Sequence, residues 1–414
     1  MNKSHILPLV LLAAAAQVQA MSGGDGSSEN PFQIGNCSDL GQIVNNLNAS
    51  YILTADIDCQ SVPFNTLHVP WADNNAHSYF TGLLDGRGHS IKNLNLQTVD
   101  KRTALIGQVS GGTIRNLTLE NVTLAGSNET TSESGALVGN VHTSGSFSNI
   151  LVRNATVSGG GNVGGIFGSF SGTAANVHGR NITLTGQASS SYRQGGFAGN
   201  SASGTIDRSS VTGAMYYDTN TTSRLQWAGG LVGYMDYTQV KDSFADVDMH
   251  FNTGTAVYVG GLVGYYKASW LTGLERVFSR GRINTYNASA SSIGGLVGHN
   301  QGAISNAYSQ VDISGNGFSY NSVGSLLGSD YSSRDVTNTY AIAQNPQTNT
   351  VKCMIGNVWN TPSLNDYSSH CVNNDAQGKQ QATYTGFSFD LVWDITENAA
   401  MPTLKGFSNM LQIQ

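Results

Sequence analysis

Residues 227–237 read "WAGGLVGYMDY". Three glycines surround one leucine and one valine, too little side chain for an ordinary helix or strand. The phrase returns as "GALVGNV" at 135, "GGIFGSF" at 164, "GGFAGNS" at 195, "GGLVGYY" at 260, "GGLVGHN" at 294 and "GSLLGSD" at 324, with a weaker first copy, "TALIGQV", at 103. Eight copies make the chain a repeat array. The closing glycines stand at 107, 139, 168, 199, 233, 264, 298 and 328, in steps of 32, 29, 31, 34, 31, 34 and 30 residues. Helical repeats fail, because glycine in a helix interior costs about 0.5–1 kcal/mol relative to alanine.

A second column follows each box, as "TIRNL", "SFSNI", "TAANV", "TIDRS", "QVKDS", "GLERV", "AISNA" and "DVTNT". Two residues past its apolar member stand Asn116, Asn149, Asn176, Arg208, Asp242, Arg276, Asn306 and Asn338. Asparagine tolerates the left-handed backbone region at tight bends, and amides stacked at one level bond to each other. A third strand follows in most repeats, as in "NATVSG" and "NITLTG". Three short strands per period, like stacking on like, predict an all-β parallel β-helix: a solenoid of about eight 31-residue repeats with capped ends. Propeller blades need four antiparallel strands with hairpin turns, and that rhythm is missing. In a coil, the large residue of each box (Leu105, Leu137, Ile166, Phe197, Leu231, Leu262, Leu296, Leu326) fills the interior as a ladder. Its small neighbours allow the backbone to bend and adjacent coils to approach to about 4.8 Å.

The flanks predict export and capping. Residues 1–20 combine Lys3, an apolar run from Ile6 to Ala16, and Val18 and Ala20 where a signal peptidase reads, the pattern of a secretory signal peptide. That run is too short to span a bilayer of about 30 Å, and no transmembrane segment follows. Residues 21–102 are read as an N-terminal cap and first coils, with Leu40, Ile43, Val44 and Leu47 on one helical face and Ser38 or Asp39 as N-cap. Residues 103–342 form the repeat region, and 343–414, where the phrase is lost, a loop-rich extension and cap. The four cysteines fall at the two ends, and in an exported chain an even count predicts disulfides, Cys37 with Cys59 and Cys353 with Cys371. CxxC-like spacing for zinc is absent.

The repeat phrase resembles the GLUG motif of bacterial secreted and surface proteins. "YILTADIDC" and "FTGLLDGRGHSIKNLNL" before the repeats, and "FDLVWDITENAAMPTLKGF" after them, match the company that family keeps. The resemblance spans about residues 35–410 and implies a right-handed parallel β-helix at an extracellular or cell-surface location, often in adhesin-like proteins. It brings no catalytic residue, and the HExxH of the family's surface metallopeptidases is missing from this chain.

Chemistry is sparse. Only 11% of residues are charged, the net charge is −6, and no basic run is present, which argues against nucleic acid or an anionic membrane as partner. The nine histidines form no metal-ligand pair, so no metal site or cofactor is expected from them. Asp246 and Asp248 lie on one strand face with Asp236 and Asp242 nearby, candidates for Ca²⁺ binding or for acid and base in a polysaccharide lyase or glycoside hydrolase. The plainer expectation for them is a solvated outer face. The residue after the closing glycine is Tyr234, Tyr265 and then His299 in consecutive repeats, flanked by Tyr266 and by Trp270, Trp227, Tyr216 and Tyr217. Such rings predict either a structural ladder or a platform for sugar rings. Nine N-x-Ser/Thr sequons lie beyond residue 20, Asn116, Asn121, Asn154 and Asn181 among them, and are read as a product of composition. The leading expectation is an exported, non-enzymatic rod that adheres to a glycan or a cell-surface protein, with a polysaccharide-processing enzyme and a matrix or filament component as alternatives.

Overall fold

A computed structural model describes residues 21–68, 79–97, 101–186, 192–219, 225–253, 257–267, 273–286, 292–315, 322–332, 334–342, 353–358, 371–372 and 375–407. The proposed signal peptide and Trp270 lie outside the described residues. The chain winds as a parallel β-helix, the strands of each coil pairing with their equivalents one coil further on. Val232 faces Val263, Val263 faces Val297 and Val297 faces Leu327. The box leucines are linked through their backbones: Leu231 N donates to Leu262 O (2.9 Å), Leu262 N to Leu296 O (2.9 Å) and Leu296 N to Leu326 O (2.8 Å). All eight predicted ladder residues are fully buried. Each such side chain contributes about 1.5–3 kcal/mol of burial.

Close approach, not left-handed backbone, demands the box glycines. A Cβ on Gly229 would stand 2.0 Å from Val232 O in its own bend, and one on Gly230 would stand 2.1 Å from Gly261 O in the next coil. The asparagine column is the converse case. All eight residues from Asn116 to Asn338 have φ between 44° and 58°, including Arg208, Asp242 and Arg276. Where asparagines are adjacent the amides bond, Asn149 Nδ2 to Asn116 Oδ1 (3.0 Å) and Asn338 Nδ2 to Asn306 Oδ1 (3.1 Å). Five residues on, Asn93, Asn121, Asn154 and Asn181 form a second left-handed column with its own amide ladder, at 2.9–3.2 Å. Four sequons, at Asn116, Asn121, Asn154 and Asn181, are therefore structural corners.

Before the first box, Phe32–Ile34, Ser50–Leu53 and Leu83–Asp85 add coils in the same parallel register. A short α-helix, Cys37–Gly41, and a 3-10 turn, Gln42–Asn45, bury Leu40 and Ile43 beside them. Its N-cap is Asn36, whose side chain accepts from Asp39 N, not Ser38 or Asp39. Asp39 is otherwise engaged, accepting from Gly35 N and Ser22 Oγ. Both predicted disulfides are present, Cys37–Cys59 and Cys353–Cys371.

The segment read as free of the repeat holds a ninth rung. Ile355–Val358 pairs with Leu327–Asp330, and Leu326 N donates to Met354 O, so "MIG" at 354–356 is a shortened box. The remaining described tail, 375–407, is a strap against the outside of the rod. It covers Phe244, Phe278, Tyr308 and Tyr340 with Tyr384, Phe387, Trp393, Met401 and Phe407. Arg280 ties it down, donating to Pro402 O (3.0 Å) and to Tyr308 Oη (2.7 Å), while Tyr308 Oη donates to the same carbonyl.

Candidate functional site

The corner after each box turns one side chain outward and the next inward, because successive strand residues alternate faces. Tyr234, Tyr265 and His299 share a register and face out. Tyr266, predicted to flank them, is fully buried, and its ring occupies the space a Cβ on Gly302 would enter. Adjacent residues of one strand cannot both join an outer strip, which corrects that expectation. Tyr217 is likewise interior, packed on Tyr192 at 5.5 Å. Tyr216 is exposed and stacks on His250 in a different column.

The outward rings form a stack along the rod axis. Tyr234 and Tyr265 lie 5.4 Å apart with planes 17° from parallel, Tyr265 and His299 4.5 Å apart at 15°, and Tyr331 continues the row 4.6 Å from His299. A second column runs beside it. Arg193, Trp227 and Tyr258 occupy one register two residues ahead of the box glycine pair, a spacing present in the sequence and not used there. Trp227 meets Tyr234 edge to face at 5.2 Å, Tyr258 meets Tyr265 at 5.5 Å, and the Arg193 guanidinium lies 4.7 Å from the Tyr234 ring centre.

This orientation changes what the ridge offers. Stacked rings cover one another's faces, so no sugar can lie flat on Tyr265, whose hydroxyl accepts from Gln301 Nε2 (3.0 Å). His299 is closed further: Nδ1 is 2.9 Å from Ser329 Oγ, Nε2 is 3.2 Å from Gln301 Nε2, and burial pushes its pKa down to about 4. It belongs to the frame of the ridge. The open ring is Tyr237, the last residue of the opening phrase. It is 57% exposed and has φ 42°, a conformation that costs a bulky residue about 1–2 kcal/mol. Nearby Lys267 pairs with Asp236 (3.2 Å) and lies within electrostatic reach of both Tyr234 and Tyr237.

The acidic candidates do not converge. Asp236 is held by Lys267 and Asp242 by Arg276, and no cluster of three potential metal ligands exists among the described residues. Asp246 and Asp248 share a face, and the next coil sets Arg280 and Arg282 at the matching positions. Burial raises the Asp246 pKa, Arg280 opposes the rise, and Asp248 adds to it.

Together these features define a parallel β-helix solenoid whose coils are closed by a Gly-rich box, with an aromatic ridge on one outer corner. The chain carries the GLUG motif: the family model described as "The GLUG motif" matches residues 289–314. Over 165 residues it is 33% identical to halomucin of Haloquadratum walsbyi, covering 36% of this chain and 2% of halomucin, so it corresponds to a small part of that protein. Among solved structures it is similar to an IgA1 protease, with a TM-score of 0.45 and 18% identity over 75% of this chain and 21% of the other. A Bacteroides ovatus chain described as an immunoglobulin A1 protease gives 0.40 and 15%, over 93% and 95%.

Proposed function

We propose that the protein is an exported, non-enzymatic β-helix displayed at or beyond the cell surface, where its side adheres to a glycan or a cell-surface protein. The observation that carries this reading is the ridge: tyrosine edges and hydroxyls held rigid at one coil spacing, with the open ring of Tyr237 and the Lys267 ammonium beside them. Rigid aromatics with polar tips give contact area at small entropy cost. Tyr237 adds a ring 57% exposed at a left-handed corner that earlier coils fill with Gly111 and Ser144. Two paired disulfides fit an oxidising compartment, and no described helix is long and apolar enough to cross a membrane. Catalysis by Asp246 and Asp248 would require an acid and a base working against the arginines of the next coil.

The test is a glycan and cell-binding screen of residues 21–414 beside a reducing-sugar assay. Tyr237→Ala and the pair Tyr234→Ala/Tyr265→Ala are expected to weaken binding about tenfold or more, a loss of about 1.4 kcal/mol. Release of sugar ends that Asp246→Asn abolishes would replace this reading with an enzymatic one.

A further inference from the structure

Apart from the ridge, the N-terminal coils carry a groove of about 570 Å³ that shares no lining residue with it. It crosses four successive coils, with Asp85 and Arg87 at one end, Asn116 and Asn149 between, and Asn176 and His178 at the other. A single hydrogen-bonded line runs along it. His178 Nε2 lies 2.7 Å from Asn176 Oδ1, Asn176 Nδ2 donates to Asn149 Oδ1 (2.8 Å), Asn149 Nδ2 to Asn116 Oδ1 (3.0 Å), and Asn116 Nδ2 to Asp85 Oδ1 (3.0 Å). Asn176 Oδ1 only accepts, so His178 carries its proton on Nε2, and Nδ1 faces Ser210 Oγ at 2.9 Å. Burial pushes the His178 pKa down to about 4, with Arg180 adding to the effect, so the imidazole is neutral near pH 7.

Each amide has two N–H bonds and uses one on the ladder. Asn149 and Asn176 are exposed, and the three side chains have no other partner among the described residues. One donor per coil is left for the groove, repeated about every 4.8 Å along the axis. Charge narrows the choice of ligand. Asp85 is already engaged, accepting from Arg87 N (2.9 Å), Asn116 and Arg115 Nε (2.8 Å). The exposed Arg87 side chain lines the groove, and Arg180 lies just past its end, two residues beyond His178 on the same strand; neither has a carboxylate partner among the described residues, whereas neighbouring Arg153 pairs with Glu120 (2.8 Å). A chain of net charge −6 thus holds a local surplus of positive charge beside a row of free amide donors.

We propose that this groove is a second binding site, one that takes an acidic saccharide chain, carboxylate- or sulfate-bearing, laid along the rod axis. Its oxygens accept from the Asn116, Asn149 and Asn176 amides, and its charges meet Arg87 and Arg180. The site shares no residue with the ridge, so either can fail alone.

The experiment measures fluorescence anisotropy of labelled oligogalacturonate, dextran sulfate, neutral dextran and an oligothymidylate with the full exported chain, at low and at physiological salt. The acidic saccharides are expected to bind in a salt-sensitive manner. The double variant Arg87→Gln/Arg180→Gln should weaken them about tenfold or more, and Leu151→Trp, which fills the groove from a half-exposed position, should remove binding. Tyr234→Ala/Tyr265→Ala should leave it unchanged. Unaltered binding in the arginine and Leu151 variants overturns the proposal, as does failure of both acidic saccharides to bind. Equal affinity for neutral dextran or for the oligothymidylate also overturns it. Loss in the ridge variant alone would sustain the ridge and sink the groove. Thermal melts matching the parent's keep a folding defect from imitating a binding loss.

Discussion

His178 and His299 are 4% and 7% exposed, and burial holds each pKa near 4 against about 6.5 in an unfolded chain. Between those values the unfolded state binds more protons, so stability rises with pH. The contribution is complete above about pH 6.5 and is lost as the pH falls toward 4, on the order of 3 kcal/mol per group. Asp246 and Asp330, whose pKa values burial raises, act with the opposite sign and offset part of the loss. Urea midpoints taken between pH 7 and 4 should therefore fall, and His178→Gln and His299→Gln should each flatten the slope. An unchanged slope in both variants would show that neither imidazole is held neutral by the fold. At this scale the glycine boxes and the first asparagine column were legible, because each recurs at fixed distance from the repeated phrase. Tyr266 departs from the expected strip because it neighbours Tyr265 on one strand and so faces inward, and the column of Arg193, Trp227 and Tyr258 stands at a constant position before each box but mixes residue types, which hides it in the sequence.

The strap, at the scale of one element, had no periodic signal to betray it. Residues 375–407 contain a short helix, Asp375–Gly378, a 3-10 turn, Gln381–Thr383, and one antiparallel pair, Trp393–Asp394 with Thr403–Leu404, and these pieces pack their aromatic side chains on the rod. Those partners are stacked rings, Phe244 on Phe278 at 4.6 Å and Phe278 on Tyr308 at 5.0 Å, with Phe387 on Trp393 at 4.4 Å in the strap itself. Removing residues 373–414 would bare a contiguous apolar patch of a kind soluble monomers rarely show. The truncated rod should keep its far-ultraviolet β signal, bind a hydrophobic dye and self-associate in sedimentation. A truncated chain that stays monomeric and dye-free would mean that the strap protects nothing. The ninth rung is hidden in the sequence for a related reason: "MIG" keeps the bend and lacks the glycine pair that marks the other copies.

On the scale of the whole rod, each coil contacts chiefly its neighbours, and stability approximates a sum of coil and interface contributions. Hydrogen exchange should accordingly be slowest in the long paired strands Gly145–Gly159, Phe167–Gly186 and Thr238–Thr253, and faster in the short terminal rungs Phe32–Ile34 and Ile355–Val358. Uniform protection along the chain would instead mark a single cooperative unit. The stack itself was written in the sequence. Positions where a neighbouring backbone leaves no room for a Cβ must repeat in every coil, and so must positions that need a left-handed bend, so both print their period directly onto the text. Tertiary structure alone decided which way the outer rings turn, that their faces cover one another, and which side of the rod the strap hides. Those outcomes depend on contacts such as Phe407 against His178 and Phe244, between residues far apart in the chain and bound by no repeating rule.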